Sequence, residues 1–306
     1  MSSSFSLLTQ RAIIESWFIP IDIVMLVCTI LVIILSIIFL CIIVLDKTCH
    51  TVSMMLIGNS CLTVLVFGCV LLSMCAFTLE NDLKQIIYED SLCIIRAYFD
   101  YVAAGVVNYS FLIQALYRYV TVIYPNRLFW QSARFQFLII CLTWMIAFIF
   151  PTAFIFTGQV KYNGDNQICQ VPVQPSFYIV YPACCIFVIP VSLIMLIYLK
   201  LFRYVHKMNT RITPANTLFR AQRELKMAQR IVILVSVLLT IGFPYAFFIL
   251  MSFFTTPPKY HYRIAFLFVD ISLALVMMAL FQFTDPIKVY MIEKIKRRPN
   301  PVIQTI

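Results

Sequence analysis

A cysteine and an arginine mark the two ends of one apolar stretch of this chain. Arg118 lies 25 residues after Cys93. In an α-helix that spacing covers ~37 Å, which is enough to cross a bilayer core of ~30 Å. A cysteine can form a disulfide, and an arginine is a permanent cation that is costly to leave at a membrane edge without a partner. The two residues therefore predict a helix fixed at one end by a disulfide and carrying a charged switch at the other.

A carboxylate lies inside the same stretch. Asp100 follows Cys93 by seven residues, and an ionisable side chain within a membrane helix is a functional-site candidate by default. Two interpretations stay open: Asp100 binds part of a ligand, or it pairs with Arg96, four residues earlier on the same helix face. The further candidates for lining a ligand cavity, each of which could equally be a packing residue, are Tyr101, Tyr178 and Tyr245.

Long apolar runs surround these residues. The chain has 306 residues, of which 62% are hydrophobic and 12% are charged, about half the charge of a soluble domain. Uncharged runs of about 18 residues or more are typical of membrane helices, which bond their own backbone groups in lipid. The sequence predicts a single all-α membrane domain, 1–306, built as a bundle of seven transmembrane helices. The expected helices are 17–45, 52–78, 93–124, 135–158, 177–203, 224–253 and 264–290.

The basic residues are divided unevenly between the two sides of this bundle. Six of the 23 Lys and Arg residues fall in the amino-terminal tail and in the loops after spans two, four and six, and the other 17 fall on the opposite side. The basic side faces the cytosol, so the amino terminus is expected outside the cell. A basic amphipathic helix, 291–298, is expected to follow the last span. The protein is predicted to be a multi-pass protein of the plasma membrane, in contact with lipid and not with nucleic acid.

The cysteines predict one cross-link. Most of the 11 cysteines lie inside spans, where they pack as small apolar residues. Cys93 and Cys169 fall on the oxidising side in different loops, so a Cys93–Cys169 disulfide is predicted. The three histidines are scattered and no cysteine spacing suits a metal, so neither a metal nor a cofactor is expected. Arg263 and Asp270, near the outer end of span seven, are expected to be rim charges or, alternatively, to help bind a polar ligand.

Several markers in order along the chain resemble those of rhodopsin-like (family A) G protein-coupled receptors. The resemblance covers the chain from the first span to the expected tail helix. The motif Asp285-Pro286-x-x-x-Tyr290 resembles the Asn/Asp-Pro-x-x-Tyr motif of helix 7, with one extra residue before the tyrosine. The other matching residues are Cys93, Arg118, Tyr119, Trp144, Pro190, Tyr198 and Pro244.

The resemblance implies a receptor that transmits the binding of an extracellular ligand, either a peptide or a small molecule, to a cytosolic heterotrimeric G protein. It places Glu224 of helix 6 opposite Arg118, so that an Arg118–Glu224 pair would hold the inner ends of helices 3 and 6 together. The alternative is that Arg118 only extends toward lipid phosphate. The position of Asp100 resembles the one at which amine receptors hold a ligand ammonium.

The chain departs from this family pattern at several positions. Tyr117 replaces the acidic neighbour of the arginine, Val64 stands where helix 2 usually carries an aspartate, and Gly242 replaces the usual helix 6 tryptophan. These changes predict a divergent receptor with raised basal activity and weak sodium dependence. Ala279 occupies the position of the retinal-binding lysine of opsins, so no chromophore is expected.

Two other classes of protein compete with the receptor interpretation. A seven-helix transporter would need partnered charges near the bilayer midplane or inverted repeats, whereas Asp100 and Asp285 lack an evident partner at the same depth. A receptor-like protein that does not signal is also compatible with the departures. An enzyme is not expected, because no converging pair of catalytic groups is evident within the spans.

Overall fold

The structure is a computed structural model that describes residues 10–11, 17–46, 50–209, 236 and 243–284. Five helices are long and apolar enough to cross a membrane, at Phe18–Leu45, Val52–Lys84, Ala133–Phe156, Phe177–Lys207 and His261–Gln282. The third predicted span is a 31-residue helix that is also long enough but carries Arg96, Asp100 and Arg118. Most of the sixth span, the part of the seventh beyond 284 and the helix expected at 291–298 lie outside the described residues.

The elements are numbered in chain order. The helices are α1 (Phe18–Leu45), α2 (Val52–Lys84), α3 (Cys93–Ile123), α4 (Leu128–Gln131), α5 (Ala133–Ile149), α6 (Thr152–Phe156), α7 (Phe177–Pro182), α8 (Ile189–Asn209), α9 (243–251) and α10 (His261–Phe283). A π-helical turn, Ala183–Val188, joins α7 to α8. The short strands are β1 (Gln10–Arg11), β2 (Ile86–Ile87), β3 (Lys161–Asn163) and β4 (Ile168–Gln170).

Capping residues set the ends of α2. The Thr51 hydroxyl accepts a hydrogen bond from the Met54 amide at 3.3 Å, which satisfies a backbone donor of the first turn. The helix ends at Gln85, which has a left-handed φ of 55°. Because the predicted end at 78 rested on where charged residues begin, the prediction missed the last turn, in which Glu80 and Lys84 form an ion pair.

Proline breaks the fourth predicted span, which was expected to be continuous over 135–158. Instead α5 ends at Ile149, and the short α6 begins at Thr152, directly after Pro151. Proline has no amide hydrogen and its ring collides with the carbonyl four residues earlier, so the helix cannot continue in register. The proline therefore interrupts the helix, while Ala133–Phe156 as a whole remains long and apolar enough to cross a membrane, as the prediction required.

A second proline accounts for the π-helical turn. In that turn the Ile189 amide bonds to the Cys184 carbonyl, five residues back, instead of four. The next residue, Pro190, has no amide to give to the Cys185 carbonyl. The Tyr109 hydroxyl of α3 donates to that carbonyl at 2.9 Å, which satisfies it and joins α3 to the turn.

The core of the bundle lies around α3, and the outer surface of the bundle is also apolar. Five helices contribute fully buried side chains to the main hydrophobic cluster: α1, α2, α3, α8 and α10. Examples, one from each helix in that order, are Phe39, Val64, Phe111, Leu201 and Met277. Large apolar side chains also cover the outer faces of the helices, for example Val27, Ile149 and Leu196. An exterior of this kind suits lipid and not water.

Two small antiparallel sheets cover one end of the bundle, called here the hairpin end. Strand β1 pairs with β2, and β3 pairs with β4 in a hairpin whose register sets Tyr162 opposite Cys169. The amino-terminal segment and the loop between α2 and α3 therefore lie at the same end. The opposite end, where α3 carries Arg118, is called the Arg118 end.

Candidate functional site

The predicted disulfide joins the hairpin to α3. Cys169 of β4 is bonded to Cys93, the first residue of α3, with 5.5 Å between the two Cα atoms, a usual separation for a disulfide. The prediction is confirmed. The bond holds the segment 161–173, called here the loop roof, over the hairpin end of the bundle.

Hydrogen bonds hold the loop roof down at three further points. The Gln170 side-chain amide donates to Asp100 Oδ2 at 2.8 Å. The Val171 amide donates to the Tyr101 hydroxyl at 3.3 Å, and the Tyr262 hydroxyl donates to the Val171 carbonyl at 2.7 Å. All five residues are at least nine-tenths buried. The roof is therefore attached to both α3 and α10.

Asp100 does not pair with Arg96. Arg96 instead bonds Asp90 at 2.5 Å and stacks on the Phe77 ring at 4.2 Å, because the first turn of α3 lies beside the preceding loop. Asp100 is 7% exposed, and its Oδ1 atom has no hydrogen-bond partner among the described residues. The pairing interpretation is therefore wrong, and a buried carboxylate oxygen is left to be satisfied by something else.

A cavity of about 630 Å³ lies beneath the loop roof, within the size range of small-molecule sites. Asp100, Tyr101 and Tyr245 line it. Tyr178 is not among the described lining residues. Its ring packs against the hydrophobic cluster beside Tyr101. Three of the four predicted ligand-binding residues are therefore brought together.

A buried charge cluster joins α1, α2 and α10 near the hairpin end. The Arg263 guanidinium contacts Asp82 Oδ2 at 2.6 Å and both oxygens of Asp22 at 3.3 Å. None of the three side chains is more than 2% exposed. The expectation that Arg263 is a rim charge was wrong. We call these three residues the Arg263 cluster.

Asp270 was also expected at the rim and is fully buried instead. The Cys75 thiol donates to its Oδ2 atom at 3.6 Å. The sequence offered no local signal for either arrangement, because Asp22 and Asp82 lie 241 and 181 residues from Arg263 and Cys75 lies 195 residues from Asp270.

The Arg118 end holds the other predicted site. Arg118 is only 4% exposed, and such burial does not fit a side chain that merely extends toward lipid phosphate. Its charge acts on the buried hydroxyl of Tyr198 on α8. Tyr119 is only partly buried and its ring lies near Tyr124. The remaining predicted switch residues, which lie outside the described residues, are Glu224, Asp285, Pro286 and Tyr290.

The three predicted structural residues occupy defined positions. The Trp144 indole on α5 donates to Asn59 Oδ1 on α2 at 3.1 Å. Pro190 is buried at the start of α8, and Pro244 lies partly buried in the first turn of the described part of α9. In the part of the chain that the structure describes, no group of His, Cys, Asp or Glu side chains is arranged to hold a metal.

Comparison with known proteins gives a match to a protein family and a match to a receptor. A family model described as the seven-transmembrane receptor (rhodopsin family) matches residues 35–287. The cephalotocin receptor 1 of Octopus vulgaris is 26% identical over 131 residues, which cover 39% of this chain. The matched region spans about a third of that receptor, 33% of its length.

Proposed function

This chain belongs to the rhodopsin family of seven-transmembrane receptors, and on that premise we propose that it transmits the binding of an extracellular ligand to a cytosolic heterotrimeric G protein. In this proposal the bundle consists of seven membrane-spanning helices. The hairpin end faces outward and the Arg118 end faces the cytosol, with the receptor in the plasma membrane. The disulfide-bonded loop suits the oxidising outer side.

One observation carries the proposal: α3 runs from the cavity to a buried arginine. Asp100 and Tyr101 line the cavity near one end of this helix, and Arg118 is buried near the other. A ligand that favours one arrangement of α3 against its neighbours therefore changes the surroundings of Arg118 as well. Activation is then a shift in population between two bundle states.

The ligand site in this proposal is the cavity under the loop roof. Asp100, Tyr101 and Tyr245 contact the ligand, and Tyr178 supports the wall beside them. The name of the octopus relative, a cephalotocin receptor, is consistent with an extracellular ligand. That match covers too little of either protein for cephalotocin to be assigned as the ligand of this chain.

The switch in this proposal lies at the Arg118 end. Arg118 exchanges a partner on helix 6, Glu224, for contacts with Tyr198 and the G protein. In this proposal the inner ends of helices 3 and 6 separate and leave a cleft for the G protein, and Tyr119 lies at its edge. The switch also includes Asp285, Pro286 and Tyr290, which lie outside the described residues, and Pro244, which lets helix 6 bend because proline weakens a helix at its own position.

We expect the receptor to promote nucleotide exchange without ligand and to respond weakly to sodium. Val64 is fully buried in the apolar core, so α2 offers no carboxylate there for a cation, and Tyr117 packs against apolar residues of α2 and α5. The measurement is binding of a non-hydrolysable GTP analogue to G protein, with receptor in nanodiscs, at zero and at high sodium. Silence at rest combined with a strong sodium effect would contradict the expectation.

Arg118→Gln is expected to reduce this exchange about ten- to a hundredfold, the value of one lost hydrogen bond to a charged group. The matched control is Arg134→Gln, which removes an exposed arginine from the first turn of α5. Both variants must elute as monodisperse receptor. If the two variants promoted nucleotide exchange equally well, Arg118 would not be part of the switch. A receptor that binds ligand without any exchange would favour the receptor-like, non-signalling alternative.

A further inference from the structure

The Arg263 cluster carries one excess negative charge whenever both of its carboxyl groups are ionised. Asp82 receives most of the hydrogen bonds. Arg263 Nη1 and Nη2 donate to it at 2.6 and 3.0 Å, and the Gln167 side-chain amide donates to its Oδ1 atom at 2.5 Å. Asp22 shares only the Nη1 group, which lies 3.3 Å from each of its oxygens. Asp22 is therefore the carboxyl group whose negative charge is balanced least.

The cluster is too deeply buried for water to compensate this excess charge. Asp22 is fully buried, and Asp82 and Arg263 are 1% and 2% exposed. Burial of an ion without a counter-ion costs much free energy, which a buried group commonly avoids by becoming neutral. A single proton on one of the two carboxyl groups would leave one anion for one cation.

A small cavity borders the cluster. Its volume is about 20 Å³, which is room for one water molecule, and its lining includes Arg263, Asn166 and Thr78. Arg263 Nε is buried and has no hydrogen-bond partner among the described residues. An unpaired donor on a residue that lines such a cavity suits a bound water molecule, through which a proton can reach the cluster.

The loop roof covers the same cluster. Gln167 of the roof bonds Asp82, and the Asn166 side-chain oxygen accepts a hydrogen bond from the Arg263 backbone amide at 3.2 Å. Both roof residues are at most 2% exposed. Opening of the roof would admit water to the cluster, and water stabilises an ionised carboxyl group far more than a neutral one. The charge of the cluster and the opening of the roof are therefore linked.

Other titratable groups lie near the cluster within the described part of the chain. The charges of the cluster act on Tyr162 of β3 and on Cys75 of α2, but phenols and thiols ordinarily lose their protons only above about pH 8. The ion pair of Lys259 with Asp165, beside Asn166, is exposed. Histidine ordinarily titrates between about pH 5 and about pH 8, so His261, the first residue of α10, requires a control.

We propose that the Arg263 cluster takes up one proton on Asp22 when the outer side is acidified, and that this proton holds the loop roof closed. At alkaline pH the excess negative charge favours entry of water, and the roof opens more often. At acidic pH the cluster is neutral and the closed roof is favoured. The outward orientation of the hairpin end rests on the proposed function, whereas the uptake of the proton does not.

The midpoint temperature of purified receptor in detergent, at about pH 5.5 and about pH 8, tests the uptake of the proton. At the lower pH the folded receptor holds a proton that an unfolded aspartate has already released, so the midpoint should be higher there by about 3 °C or more. Asp22→Asn should abolish this difference, and Asp82→Asn should do the same because it leaves one anion for one cation. His261→Gln and Glu80→Gln, the latter at an exposed position, should keep it.

Two further measurements locate the proton and its effect on the roof. The infrared difference spectrum between acidic and alkaline receptor should contain the C=O stretching band of a protonated carboxyl group. Asp22→Asn should lose this band, which distinguishes Asp22 from the buried Asp100 and Asp270. Amide hydrogen exchange within the loop roof, corrected for its intrinsic dependence on pH, should be about tenfold slower at acidic pH, the equivalent of one pH unit of linkage.

Several results would overturn the proposal. They are a midpoint temperature that does not change with pH, a change that survives in both Asp22→Asn and Asp82→Asn, and a change that disappears in His261→Gln. Absence of the infrared band, or roof exchange that does not depend on pH after correction, would overturn it as well. None of these measurements needs a ligand or a G protein, so their outcome is independent of the signalling that Arg118→Gln tests.

Discussion

Arg263→Met is expected to destabilise the receptor by about 3–5 kcal/mol, because it leaves two buried carboxylates without their cation. The Arg263 guanidinium bonds Asp82 through two nitrogens, at 2.6 and 3.0 Å, and it also lies 4.1 Å from the Phe18 ring centre. Asp22 and Asp82 are at most 1% exposed, so water cannot replace the lost partner. The measurement is the midpoint temperature at which detergent-solubilised receptor loses its monodisperse peak, with an expected fall of about 10 °C.

An exposed ion pair provides the matched control. Lys84 and Glu80 also form an ion pair, but their side chains are 59% and 60% exposed. Lys84→Met should therefore cost no more than about 1 kcal/mol. Equal losses from Arg263→Met and Lys84→Met would contradict the view that burial makes the Arg263 cluster sensitive.

A triple variant separates the loss of charge balance from the loss of packing. Replacing Arg263 by Met and both Asp22 and Asp82 by Asn removes the cation and the two anions together. Much of the stability should return, because no uncompensated charge then remains buried. No recovery would mean that the contacts of the arginine side chain with Phe18 and its surroundings dominate instead.

The sequence could predict features that depend on apolar length and on the side of the membrane. The extent of α1, the start of α3 and the Cys93–Cys169 bond follow from such local or topological signals. The predicted helix ends were less accurate where a helix continues beyond its apolar residues, as α2 does to Lys84, because helical hydrogen bonding does not require apolar side chains. The break at Pro151 was predictable in principle from the missing amide of proline.

Long-range polar contacts could not be predicted in the same way. Arg96 and Asp100 have the spacing of a helical pair, yet Arg96 bonds Asp90 in the preceding loop and Asp100 bonds Gln170. Helical periodicity says which residues share a face, but the choice among partners depends on which other chain segments pack there. The Arg263 cluster and the Asp270–Cys75 contact have the same origin, since each joins residues that are distant in sequence.

Replacing Cys93 and Cys169 together by serine is expected to cost up to about 4.5 kcal/mol, the chain-entropy value for a loop of this length. The two cysteines are 76 residues apart. That value is an upper bound here, because a bilayer or micelle already restricts the unfolded helices. The loss should appear as a lower midpoint temperature and as faster amide hydrogen exchange within the loop roof. Cys41→Ser, at a lipid-exposed position without a disulfide, should leave both nearly unchanged.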